Sequence, residues 1–113
     1  MIDVVEPSKL FGSRVRTEVL LLIAILEETY ASELAAISQR RLYSVQRVVE
    51  ALEREGIVVG RVSGRVRRLV INPLLPFRKE LLALLVRMMV QEQSLRETIN
   101  SMRRRPRRKG KQL

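Results

Sequence analysis

The chain has 113 residues, enough for one domain and a tail, and its 46% hydrophobic content excludes global disorder. It holds no cysteine and no histidine, which excludes disulfides, a zinc site of the usual N/S type, a Cys–His nucleophile pair and a Ser-His-Asp triad. The formal charge of +10 is unevenly placed: residues 103–111 (RRRPRRKGK) carry seven Lys/Arg and no acid, and residues 38–71 carry eight Arg against three Glu.

Residues 1–12 read as a lead-in punctuated by Pro7 and Gly12. Their opening, MIDVVEPSKL, lacks a basic stretch followed by an apolar one, so no secretory signal is expected there. Ser13 is placed to cap a first helix reaching about Glu28, with Val15, Val19, Leu22, Ile23 and Leu26 on its core face. Leu20, Leu21 and Ile25 fall off that stripe, which predicts burial on two sides. The apolar run 19–26 is too short to span a bilayer. A soluble, intracellular, cytoplasmic protein with no membrane partner is expected.

Ser32 is predicted to cap a short second helix with Leu34 and Ile37 inward. After a connection at 38–42, a third helix is predicted over 42–55, stopped by Gly56. Val45, Val48, Val49 and Leu52 form its buried stripe. The opposite face presents Tyr43, Arg47, Glu50 and Arg54, flanked by Ser44, Gln46 and Ala51, with Glu50 expected to pair with Arg54 one turn on.

Residues 57–62 and 66–71 are β-branched runs joined at Ser63-Gly64, a hairpin signal. Arg61, Arg65 and Arg67 alternate and are expected on one face, with Arg68 pointing the other way. Asn72-Pro73 and Pro76 mark the exit. One uninterrupted amphipathic helix, about 39 Å long at 1.5 Å per residue, is predicted from Phe77 to about Met102. Leu81, Leu85, Met88, Leu95 and Ile99 form its seam, interrupted by Glu92. That length favours a dimerisation arm over a helix that merely covers the first. Beyond it the tail is low-complexity.

This order predicts a mainly α chain with a small β-hairpin: a winged helix-turn-helix with a long C-terminal helix. Three parts are expected, a winged DNA-binding domain at 1–76, a dimerisation helix at 77–102 and a basic flexible tail at 103–113. In such a unit the second helix of the pair meets base edges in the major groove, and the wing reaches the flanking backbone or minor groove. Arg47 suits bidentate bonding to guanine, Ser44 and Gln46 suit bases or phosphates, and Tyr43 suits a phosphate. Arg40 and Arg41 ahead of the helix, Arg61, Arg65 and Arg67 in the wing, and Arg103, Arg104 and Arg105 in the tail complete the expected contacts.

The chain also resembles the winged helix-turn-helix regulators of the ArsR-like group, through LFGSRVR (10–16), SELA (32–35), SVQRVVEALEREGIV (44–58), SGR (63–65) and INPLLPFRKEL (71–81). The resemblance covers roughly residues 10–90. It implies a DNA-binding transcriptional regulator, usually homodimeric, with its recognition helix at 42–55 and its wing at 61–68. Two features depart from the pattern: Gln39 and Arg41 stand where the turn usually has glycine and a Ser/Thr cap, and metal-ligand clusters of the metal-sensing members are missing. No catalysis, cofactor or metal is therefore expected; the partners are double-stranded DNA and a second copy of the chain. A sequence-neutral nucleic-acid or chromosome-associated protein and a winged-helix protein-interaction adaptor are the alternatives.

Overall fold

A computed structural model describes residues 10–104. The elements are α1 (Arg14–Leu26), α2 (Ala31–Ser38), α3 (Leu42–Arg54), β1 (Val58–Ser63), β2 (Val66–Ile71), α4 (Arg78–Met89) and α5 (Gln93–Arg104). The basic tail from Arg105 onward lies outside the described residues, as do the side chains of Arg103 and Arg104, so the contacts expected of these three arginines fall outside them too.

Ser13 caps α1 as expected: its side chain accepts from the Arg16 N–H. Most of α1 is buried, including Leu20 and Leu21, because other helices and the hairpin surround it. The helix ends at Glu27, which sits at φ 69° and ψ −46°, while the Glu28 N–H donates to Leu26 O at 2.7 Å. This is a γ-turn of the rarer, strained hand. It turns the chain sharply into Thr29, whose backbone exchanges two hydrogen bonds with Leu69 of β2.

That exchange shifts the start of α2. Ser32 is not its cap; the helix begins at Ala31 after an extended Tyr30, with no side-chain cap. The backbone is already held at Thr29, so the helix starts two residues later. Thr29 Oγ1 also donates to Glu33 Oε1 at 2.6 Å, tying the lead-in to the first turn. At the other end Gln39 takes the left-handed conformation (φ 57°), where the family pattern has glycine. The Arg40 N–H reaches back to Ala35 O at 3.1 Å, closing the helix end. Arg41 then starts α3 with no side-chain cap. The departures at Gln39 and Arg41 therefore leave the turn in place but without its usual local support.

The strands pair antiparallel with Arg61 opposite Arg68, Val62 opposite Arg67 and Ser63 opposite Val66. The loop is thus Gly64-Arg65, not Ser63-Gly64. Gly64 takes φ 64° while Arg65 keeps a negative φ, the arrangement of a two-residue hairpin with glycine first. This register corrects the wing. Directly opposed residues share a face, so Arg61 shares its face with Arg68, and Arg67 lies on the other face with Gly60 and Leu69. Asn72 secures the exit: its Nδ2 donates to Gly56 O, and its Oδ1 accepts from the Leu74 N–H.

The long terminal helix is also corrected. It breaks at Val90–Glu92 into two helices of 12 residues each. The Val90, Gln91 and Glu92 N–H groups bond three residues back, so the last turn tightens and stops. The bend lets Leu95 of α5 bury against the core that Leu85, Met88 and Met89 of α4 have already joined. Residues on both sides of position 76 therefore share one hydrophobic core.

Candidate nucleic-acid interface

The amphipathic pattern of α3 buries Val45, Val49 and Leu52 and exposes Tyr43, Gln46, Arg47 and Glu50, with Ser44 at the edge. Tyr43 is 66% exposed for a large aromatic. Its hydroxyl accepts from Arg47 Nη1 at 3.0 Å, and the guanidinium lies 5.7 Å from the ring centre. That hydrogen bond, rather than burial, holds the Arg47 pKa above its ordinary value. The pair keeps a cation displayed on the helix surface in a restricted geometry.

Two concave surfaces meet along this helix. One, of about 190 Å³, is lined by Tyr43, Gln46, Arg47, Glu50 and Arg54. On the hairpin side, two adjoining hollows of about 310 and 300 Å³ run between α3 and β2. There Leu42 and Gln46 of α3 share a wall with Arg65 and Val66 at the hairpin tip. The structure thus brings Tyr43, Gln46, Arg47 and Arg65 onto neighbouring surfaces.

Other expected contacts are committed elsewhere. Arg40 Nε bonds Glu18 Oε1 at 2.9 Å, and Glu18 is only 7% exposed. A carboxylate that deep needs a partner, so Arg40 serves α1 rather than a free surface. Arg67 forms an ion pair with Glu53 of α3, including a bond of 2.9 Å from Nη1 to Oε1. The pair closes over Gly60: a Cβ there would lie 2.5 Å from Arg67 Cζ and 2.6 Å from Glu53 Oε2. The Glu53 hydrogen bond raises the Arg67 pKa. Arg68, on Arg61's face, lies over the Tyr30 ring at 5.9 Å. Arg41, Arg61 and Arg65 are exposed and enter none of the ion pairs among the described residues. The hairpin register could have separated Arg61 from Arg67 in advance, had the loop been placed at Gly64-Arg65.

The residues assigned to a dimer seam are used inside the chain. Leu85 is fully buried, Met88 and Leu95 nearly so, and Leu81 and Ile99 pack half-buried on the same core. In the C-terminal part of the described chain, Leu74, Phe77, Leu84, Val86, Val90 and Met102 stay exposed.

No protein-family model matches the chain, and no curated protein matches its sequence. Its fold is similar to that of the adhesin competence repressor AdcR from Streptococcus pyogenes, with a TM-score of 0.58 and 11% identity over 80% of this chain and 66% of that one. It is also similar to a point mutant of ZitR from Lactococcus lactis, with a TM-score of 0.54 and 10% identity over 92% of this chain and 66% of that one. The fold is a winged helix-turn-helix. In its terms α2 and α3 are the helix pair, Thr29, β2 and β1 form the small sheet, and the β1–β2 hairpin is the wing. The winged-helix chain spans just under two thirds of each of these neighbours. Among its described residues no helix is long and apolar enough to cross a membrane, and no group of three or more His, Cys, Asp or Glu side chains could hold a metal ion.

Proposed function

We propose that this chain is a duplex-DNA-binding transcriptional regulator that acts as a homodimer, with α3 as recognition helix in the major groove and the wing on the flanking backbone. The observation that carries the reading is the Tyr43–Arg47 pair on the exposed face of α3, beside a wing tip whose Arg65 shares a hollow with Gln46. A planar guanidinium held at a helix surface matches the N7 and O6 acceptors of guanine. Arg41, Arg61 and Arg65 supply the phosphate contacts. One structural neighbour, AdcR, is a repressor by name, and the ArsR-like motifs point to the same class. A dimer would use the exposed flank of α4 that carries Val86 and Val90, one turn apart, because the residues expected to form the seam are covered within the chain.

Selection of sites from random duplexes, with the mass in solution measured alongside, tests this directly. A pseudo-palindrome and a dimer mass are expected, and Arg47→Ala should relax preference at one base in each half-site by about 1–3 kcal/mol. An enriched pool without a motif would overturn the sequence-specific reading and leave the sequence-neutral one.

A further inference from the structure

Glu50 is an exposed carboxylate in the middle of the surface that has to approach a polyanion. The expected pair with Arg54 does not form: among the described residues the ion pairs are Arg14–Glu18, Arg16–Glu55, Arg40–Glu18 and Arg67–Glu53. Arg47 and Arg67 are bonded elsewhere, and Arg54, on the same hollow, makes no ion pair with Glu50. Arg47 bonds backward to Tyr43, four residues before it, and Arg67 bonds Glu53. Glu50 also lines both the hollow shared with Arg47 and the one facing the wing, as Gln46 does, so it stands on the crest of α3 between them. A negative charge at that place, offset by Arg47 and Arg67 only through space and not by a direct ion pair, weakens binding to any phosphate backbone. It becomes useful only where a donor meets it, and in the major groove the donors are the amino groups of cytosine and adenine.

We infer that Glu50 is a specificity-determining residue of α3 that accepts a hydrogen bond from the exocyclic amino group of cytosine. Cytosine is favoured over adenine because it presents that donor without the neighbouring N7 acceptor, which would face the carboxylate. Ser44, Arg47 and Glu50 recur every third residue along one helix face. In zinc-finger helices, side chains at that spacing meet successive bases, and the same spacing would serve α3. Glu50 then reads the base pair next to the guanine held by Arg47, and its charge acts against every site that lacks the amino group. The inference rests on the reading of α3 as a recognition helix.

The test is site selection from random duplexes with the full-length wild type, Glu50→Gln and Glu50→Ala, each paired with titration of a duplex of unrelated sequence. The wild-type motif should contain cytosine beside the guanine that Arg47→Ala relaxes. Both variants should lose roughly tenfold discrimination at that one position. Glu50→Gln should shift it toward adenine, whose N6 and N7 suit an amide, and both variants should bind unrelated duplex more tightly. Circular dichroism checks that the helix is intact. If all three proteins return the same base there, or the variants lose preference evenly across the site, Glu50 does not read a base. If the wild type itself enriches no motif, the recognition-helix reading fails, and the inference with it.

Discussion

At the scale of single residues, the arginines of this chain divide by partner rather than by position. Arg40 and Arg41 are adjacent, yet Arg40 neutralises the buried Glu18 while Arg41 stands exposed at the start of α3. Arg40→Ala should therefore lower stability by about 1 kcal/mol, because it removes the closer of the two cations on buried Glu18 and leaves only Arg14 at 3.5 Å. Arg41→Ala should leave the melting temperature nearly unchanged and reduce the salt slope of duplex binding by about one. Thermal melts and salt titrations of the two variants separate the roles; equal effects on both measurements would contradict the division. No local pattern could show this, because Arg40 and Glu18 are 22 residues apart. By contrast, Ser13 and Gly56 carry their signals in their own side chains, or in the lack of one, and both cap where the sequence places them.

At the scale of elements, α3 and the hairpin were the most legible. The stripe of Val45, Val49 and Leu52 and the β-branched runs around Gly64 are local signals, and the structure repeats them. Facing was harder, because it depends on register, and one residue of loop placement moves a side chain to the opposite face. Arg67 is the case in point: it grips Glu53 across Gly60 instead of joining Arg61. Arg61→Ala and Arg65→Ala should each reduce the salt slope of binding by about one, whereas Arg67→Ala should change it little. Gly60→Ala should displace the Arg67–Glu53 pair and destabilise the wing by about 1 kcal/mol, read as a lower melting temperature and faster amide exchange in β1. A wing that exchanges as before would mean that the pair yields to the added methyl without loss. The terminal break left only a faint mark, Glu92 in the seam: 90–92 contains no glycine or proline, and what rewards the bend is the packing of Leu95 and Ile99 on a distant core.

At the scale of the molecule, α1, α3 and the terminal helices share one interior. Leu85→Ala should cost roughly 2–5 kcal/mol as a buried truncation. Val86→Glu, on the exposed flank of α4 that it shares with Val90, should preserve the fold and shift a dimer toward monomer in sedimentation; an unchanged mass would place the interface elsewhere. The ends of α1 and α3 are also tied through Arg16 and Glu55, with Arg16 Nη1 3.3 Å from Glu55 Oε2. The Arg16 hydrogen bond lowers the Glu55 pKa below its ordinary 4.5. Its stabilising effect is therefore complete above that ordinary value and is lost as pH falls through the lower folded one. Glu55→Gln should lower the melting temperature at neutral pH and narrow its difference from wild type on acidification; a difference that does not vary with pH would remove this pair from the acid response.

The single-residue strand at Thr29 sets how the wing can yield. Thr29 and Leu69 each donate to the other, at 3.2 and 2.7 Å, so the root of β2 is stitched to the segment between α1 and α2. These two amides should exchange only when the whole domain opens, while those near Gly64 exchange by local fraying. The wing therefore bends like a blade clamped at its base: its tip can follow the curvature of a duplex while its root keeps its angle to α3.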